Sequence, residues 1–295
     1  MDLGMNLNLI EVNDLEAPQL AVYAHASEAE LLHFYEPDGG VFIAETANVV
    51  LRALEAGYMI ESLLVEKQRL HIEAAPVFEK ILSLYGQTVL SDIPVYTADH
   101  ETVKELTGYN LVRGLWTVMR RKKTESLKSF CRDKNRLAVI YDVVNPTNVG
   151  AIIRSAAALG MDGVLLTAGS VDPLTRRSAR VSMGTVFEIP WTVAPKDVDP
   201  ARVLPELGFH TAAMALTDNS VGPDDESLKK EDRLAVFLGT EGTGLPRDVI
   251  ESCSSRIMIP MYHGVDSLNV AAASAVIFWE LCKEKPVLTR NCAAG

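Results

Sequence analysis

Three polar, glycine-bearing stretches hold the side chains best suited to chemistry: NPTNVGAIIR at 145–154, GTEGTGLP at 239–246 and IPMYHGVDSLN at 259–269. In the first, Arg154 stands one to two helical turns beyond Asn148. An arginine keeps its charge, and its planar fork holds a phosphate at two points at once. The same residue on a helix exterior would be only a solvated cation. In the second, Glu241 lies between Gly239 and Gly242, where backbone can approach a ligand closely. Its carboxylate would orient Arg154 or remain a solvated loop acid. In the third, Asn269 precedes an apolar run, a position that favours a polar contact over core packing. Ser267 reads as the N-cap of the helix that follows.

Commoner site chemistries are excluded by what the chain lacks. No Gly-Lys pair exists, so there is no Walker A loop. Gly239, Gly242 and Gly244 give G-x-x-G-x-G, the wrong order for a dinucleotide fingerprint. Gly-x-Ser-x-Gly, His-Glu-x-x-His and Cys-x-x-Cys are all missing, which leaves no hydrolase elbow and no metal signature. A pocket built from these residues would work through backbone donors, amides, one arginine and one glutamate.

The elements that must position them alternate in type. Leu137–Val144 is an apolar strand interrupted only by Asp142, and Asn145 to Asn148 supply turn and helix-cap chemistry. Apolar residues then recur at helical spacing to Gly160, and Gly163–Thr167 is the next strand. Further strands are expected at Trp191–Ala194, Thr211–Leu216, Leu234–Gly239 and Arg256–Pro260, with a last helix over Ser267–Lys283. Near-continuous apolar strands mark a mainly parallel sheet covered on both faces. Ligands bind beyond the carboxyl ends of such strands, where all three stretches fall. Upstream, strands at Val41–Ala44, Ser62–Val65 and Pro94–Tyr96 alternate with helices at Ala47–Ala56 and Pro76–Tyr85. They describe a smaller α/β domain over 41–119, with 1–40 as an extension containing a helix at Glu28–Tyr35.

Of 295 residues, 48% are hydrophobic and 23% charged, which is globular composition. The net charge of −11 opposes binding to nucleic acid or an anionic membrane when taken as a whole. It is unevenly spread, because residues 120–136 hold 8 basic and 2 acidic side chains between two acidic blocks. That stretch reads as a basic linker or an anion-binding strip. Arg176, Arg177 and Arg180 form a second basic cluster. Four cysteines without paired spacing fit a reducing cytoplasm, and no stretch has the length of a membrane span or the form of a signal peptide.

Taken together, the three stretches resemble the signature of the SpoU (TrmH) family within the SPOUT class of RNA methyltransferases. Asn148, Gly150 and Arg154 match its first motif, Leu238–Pro246 its second, and Ile259-Pro260-Met261 with Ser267-Leu268-Asn269-Val270 its third. The match spans 137–283. More loosely, residues 42–65 and 93–108 resemble the ribosomal-protein-like substrate-binding domain that precedes many members' catalytic domains.

The resemblance implies a C-terminal trefoil-knotted methyltransferase domain and a homodimer whose active sites draw on both subunits. S-adenosylmethionine would be held at Gly239, Ile259, Met261 and Leu268. Arg154, Asn148, Glu241, Ser267 and Asn269 would form the catalytic cluster, with Arg176, Arg177 and Arg180 on the RNA. Neither a metal nor a membrane is implied. The implied reaction is methyl transfer to a ribose 2′-hydroxyl, in rRNA rather than tRNA. A base methyltransferase of the same class and a non-catalytic RNA-binding module are the alternatives.

Overall fold

The computed structural model describes residues 5–14, 17–34, 39–107 and 114–285. They separate into two compact units, Met1–Lys123 with Leu174–Glu188, and Thr124–Pro173 with Ile189–Gly295.

The first unit is built on five strands: β1 (Asn8–Glu11), β2 (Val41–Glu45), β3 (Ile60–Glu66), β4 (Pro94–Ala98) and β5 (Leu115–Arg120), in the order β1-β4-β3-β5-β2. The pairs β1–β4 and β4–β3 are parallel, whereas β3–β5 and β5–β2 are antiparallel. Helices α1 (Glu28–His33), α2 (Ala47–Glu55) and α3 (Ala75–Asp92) accompany them. Ser27 caps α1 through a reciprocal box with Glu30. The helix expected over Pro76–Tyr85 is broken directly after it, at Gly86, whose φ of 82° and ψ of 173° are not helical, and a second helical stretch carries α3 on to Asp92.

The described residues of the N-terminal extension pack into the first unit. Strand β1 extends the sheet, and Val12, Leu20, Tyr23 and Leu31 bury against Val41, Ile43, Leu64 and Trp116. The Tyr23 hydroxyl pairs with Ser62 Oγ at 2.7 Å, and burial pushes its phenol well above the usual range. Sequence periodicity alone could not reveal this, because a four-residue edge strand is recognisable only by its partner β4.

The second unit carries β6 (Arg136–Ile140), β7 (Gly163–Leu166), β8 (Trp191–Val193), β9 (His210–Met214), β10 (Leu234–Leu238) and β11 (Ser255–Ile257). Their order is β11-β9-β10-β6-β7-β8, and every pair is parallel. Every residue of β10 is buried, as are Leu137–Ile140 of β6. Layers on both faces therefore require the continuous apolar runs seen in the sequence. After β8 the chain returns to the far side of β6. The β6–β10 neighbourhood is accordingly the switch point where such sheets bind ligands.

Helix α4 (Leu127–Cys131) lies within the expected linker, yet Leu127, Phe130 and Cys131 join the core of the second unit. Only residues 121–126 of that stretch lie outside a regular element before α4. Two helices matter for the site: α5 (Pro146–Ala158) and, after α6 (Arg176–Val181), the final α7 (Val270–Cys282). Helix α6 lies within the Leu174–Glu188 segment, which packs into the first unit although strands of the second flank it. Phe187 meets Phe42 and Tyr58 with ring centroids 5.6 and 5.1 Å apart. No helix among the described residues is long and apolar enough to cross a membrane.

Candidate active site

Strand β6 ends at Ile140, four residues short of the expected Val144, because the backbone leaves the ladder at Asp142. That residue has φ 53°, and its N–H donates to Thr167 Oγ1 (2.8 Å), which itself donates to Asp142 Oδ1 (2.7 Å). The turn delivers Asn145 as the cap of α5, its side chain accepting from the Thr147 N–H (2.9 Å), with Pro146 opening the helix. Asn148 then falls in the first turn, 5% exposed.

Asn269 is the N-cap of α7, not Ser267. Its Oδ1 accepts from the N–H groups of Ala271 (2.9 Å) and Ala272 (3.4 Å). With Oδ1 so occupied, Nδ2 must face away from the helix, where it donates to Asn148 Oδ1 (3.2 Å) and to Glu241 Oε1. One asparagine thus joins the first, second and third polar stretches. Ser267, two residues before the cap, is exposed and lines the adjoining cleft. Arg154 does not join this cluster. It lies exposed on α5, and its side chain makes no hydrogen bond or ion pair among the described residues.

The cleft measures about 450 Å³ and opens beyond the carboxyl ends of β9, β10 and β11. Gly239, Ile259, Met261 and Leu268 all line it, with Glu241 and Ser267. Gly239 is required by a close approach: a Cβ there would stand 2.4 Å from the Gly244 carbonyl carbon and 2.5 Å from Leu245 N. Ile259, Met261 and Leu268 send no backbone N–H to another described residue, leaving these donors for a ligand. The floor is apolar, from Leu238, Ile257 and Met258. The lining includes the carboxylates of Glu241 and Asp266 and no basic side chain. Such a lining disfavours a phosphate-bearing nucleotide and suits an apolar-faced ligand of positive charge. Met214, Ala215 and Leu216 of the cleft were missed from sequence; their one signal was position at the end of an expected strand.

The basic clusters are largely engaged. Arg176 Nε lies 3.4 Å from Glu28, and its Nη2 donates to the Ala26 carbonyl (2.9 Å). Arg180 pairs with Glu45 at 3.0 Å, while Arg177 is exposed. In the strip, Arg120 pairs with Glu61, Arg121 Nε donates to the Val41 carbonyl, and Lys122 donates to the Ala56 carbonyl. Lys123, Lys128 and Arg132 are exposed. No cluster of metal-ligating side chains occurs among the described residues.

Comparison with known proteins supplies the frame for these groups. The SpoU rRNA Methylase family matches residues 135–279. An uncharacterized tRNA/rRNA methyltransferase of Mycobacterium bovis is 35% identical over 188 residues, which is 63% of this chain and 65% of that protein. The chain therefore spans somewhat under two thirds of that relative's length. An AdoMet-bound rRNA methyltransferase from Sinorhizobium meliloti has the same fold, with a TM-score of 0.77 at 24% identity over 95% of this chain and all of the other. The crystal structure of an RNA 2′-O ribose methyltransferase follows at 0.70, with 22% identity over 93% and 98%. Residues 135–279, and with them the cleft and the Asn148–Asn269–Glu241 cluster, belong to the SpoU rRNA Methylase family.

Proposed function

We propose that the protein transfers the methyl group of S-adenosylmethionine to a ribose 2′-hydroxyl in structured RNA, rRNA in preference to tRNA. The observation that carries this reading is the Asn269 side chain, which ties Asn148 and Glu241 together beside a cleft lined by carboxylates and apolar groups. S-adenosylmethionine carries a sulfonium cation and no phosphate, so it matches that lining. When bound it supplies an electrophilic methyl group.

The chain's own part is positioning and charge stabilisation. A 2′-hydroxyl is a poor nucleophile until it is held in line and its developing negative charge is met. Arg154 has no competing partner among the described residues and can hold the neighbouring phosphate or meet that charge, while Asn148, Glu241 and Asn269 fix the wall against which the ribose lies. Lys123, Lys128 and Arg132 are exposed basic groups that could meet phosphates. Arg176 and Arg180 would first have to exchange their carboxylates.

A knotted path of the chain around the cleft and a homodimer belong to the same reading. Support for the homodimer comes from the outer face of α7, where Ala272, Val276 and Trp279 form an apolar stripe. Trp279 is 59% exposed there, and a groove of about 550 Å³ adjoins it. Disulfide-free, buried Cys131, Cys253 and Cys282 suit a cytoplasmic setting.

The test is nucleoside analysis of RNA from a strain lacking the gene, with and without the restored protein. Loss and return of one 2′-O-methyl nucleoside is expected. Loss of a base-methylated nucleoside would make it a base methyltransferase, and no change at all would make it a binding module.

A further inference from the structure

At the rim of the cleft the third stretch leaves the wall at Met261 and rejoins it at Asp266. The four residues between make a tight turn. Val265 N–H donates to the Tyr262 carbonyl at 3.2 Å, and His263 and Gly264 both take positive φ, 58° and 70°. Two successive left-handed residues define a turn of type I′. Its geometry holds Tyr262 outward, 80% exposed, the most exposed large hydrophobic residue among those described. Val265 and Leu268 are also exposed beside it. An aromatic ring kept in water next to the predicted reaction centre costs apolar burial that an ordinary turn residue would not forgo.

Resting on the function proposed above, we propose that Tyr262 is the platform on which the base of the target nucleotide stacks, making it a specificity-determining residue. A ribose must leave a regular helix for its 2′-hydroxyl to reach a cleft, and its base then loses its stacking neighbours. An exposed ring at the cleft mouth replaces one of them. The contact is through the π-face, which every base presents, so it discriminates purine from pyrimidine by overlap area. The occupant is nucleic acid rather than phosphate alone, since neither lysine nor arginine lines the cleft beneath this rim.

Steady-state methyl transfer from tritiated S-adenosylmethionine to unmodified rRNA and tRNA transcripts tests the idea. Tyr262→Ala and Tyr262→Leu should raise KM for RNA about ten- to hundredfold, with kcat within about threefold, because stacking acts equally on bound substrate and transition state. Tyr262→Phe and Tyr262→Trp should keep KM near wild type, and the affinity for S-adenosylmethionine, measured by calorimetry, should not change. An unchanged KM in Tyr262→Ala, or full rescue by Leu, would overturn the proposal. So would a halved mass by light scattering, which would assign the rim to contact between copies of the chain. Failure of wild type to methylate any transcript would instead overturn the functional reading, and this one with it.

Discussion

Asn269 Nδ2 donates to Asn148 Oδ1 across 3.2 Å although 121 positions of sequence separate the two residues. Because the same side chain caps α7, the start of the last helix and the first turn of α5 are fixed to one another through a single amide. Asn269→Asp separates the two duties. Aspartate caps about as well as asparagine, so the unfolding temperature should stay near wild type. It cannot donate to Asn148, and it sets a second carboxylate against Glu241. Methyl transfer should fall about 100-fold, as expected for a misplaced site. Asn269→Ala should lose activity and also about 1 kcal/mol of stability. Thermal denaturation beside a transfer assay distinguishes the two variants.

Gly239→Ala should weaken cofactor binding strongly. The added Cβ meets backbone atoms of Gly244 and Leu245 at 2.4–2.5 Å, and backbone cannot rotate aside as a side chain can. Displacing the 239–245 loop should cost about 1–3 kcal/mol of stability and raise the calorimetric Kd for S-adenosylmethionine more than about tenfold.

Arg154→Ala should remove methyl transfer by about 10³-fold while leaving the Kd for S-adenosylmethionine within about twofold. The guanidinium is exposed and has no partner among the described residues, so stability should be unchanged. Arg154→Lys should not restore the rate if a two-point phosphate contact is needed. Single-turnover kinetics with saturating cofactor would show the loss directly.

Asp162 predicts a pH effect on stability. Burial opposes its ionisation, yet hydrogen bonds from Lys285 and from the N–H groups of Asn135 and Arg136 outweigh it and hold the carboxyl below its usual range. With the folded value below the unfolded one, near 3.9, its contribution is present above about pH 4 and lost as pH falls through the folded value. Asp162→Asn should therefore unfold at lower temperature than wild type at pH 7. The gap should close as pH falls below the ordinary carboxylate range, as followed by circular dichroism.

Burial pushes the thiols of Cys131 and Cys253 up to about 11. At pH 8 only about one in a thousand would be thiolate, the reactive form. Iodoacetamide should leave both untouched in the folded protein and label them after denaturation, as read by peptide mass.

The second unit was legible because its strands are buried on both faces and announce themselves as apolar runs. The site was legible because its polar stretches follow those strands. Three features were not. Ser267 looked like the cap because serine suits that role, but the helix begins two residues later, where Asn269 can cap and bridge together. The strand before Asn145 looked longer because Val143 and Val144 are apolar; the left-handed turn at Asp142 depends on Thr167, 25 residues away. The arginines of α6 looked like a free basic cluster because their carboxylate partners, Glu28 and Glu45, lie about 140 residues earlier. In each case a partner distant in sequence decided the outcome.

The Leu174–Glu188 segment makes the two units poor modules. A gene fusion or exchange cut once near residue 123 would leave Phe42 and Tyr58 without the ring of Phe187, and Glu45 without Arg180. The donor half would keep an orphaned strap exposing Phe187. Recombination that moves either half intact must therefore cut the chain three times, so the pair should pass through evolution as one unit of inheritance.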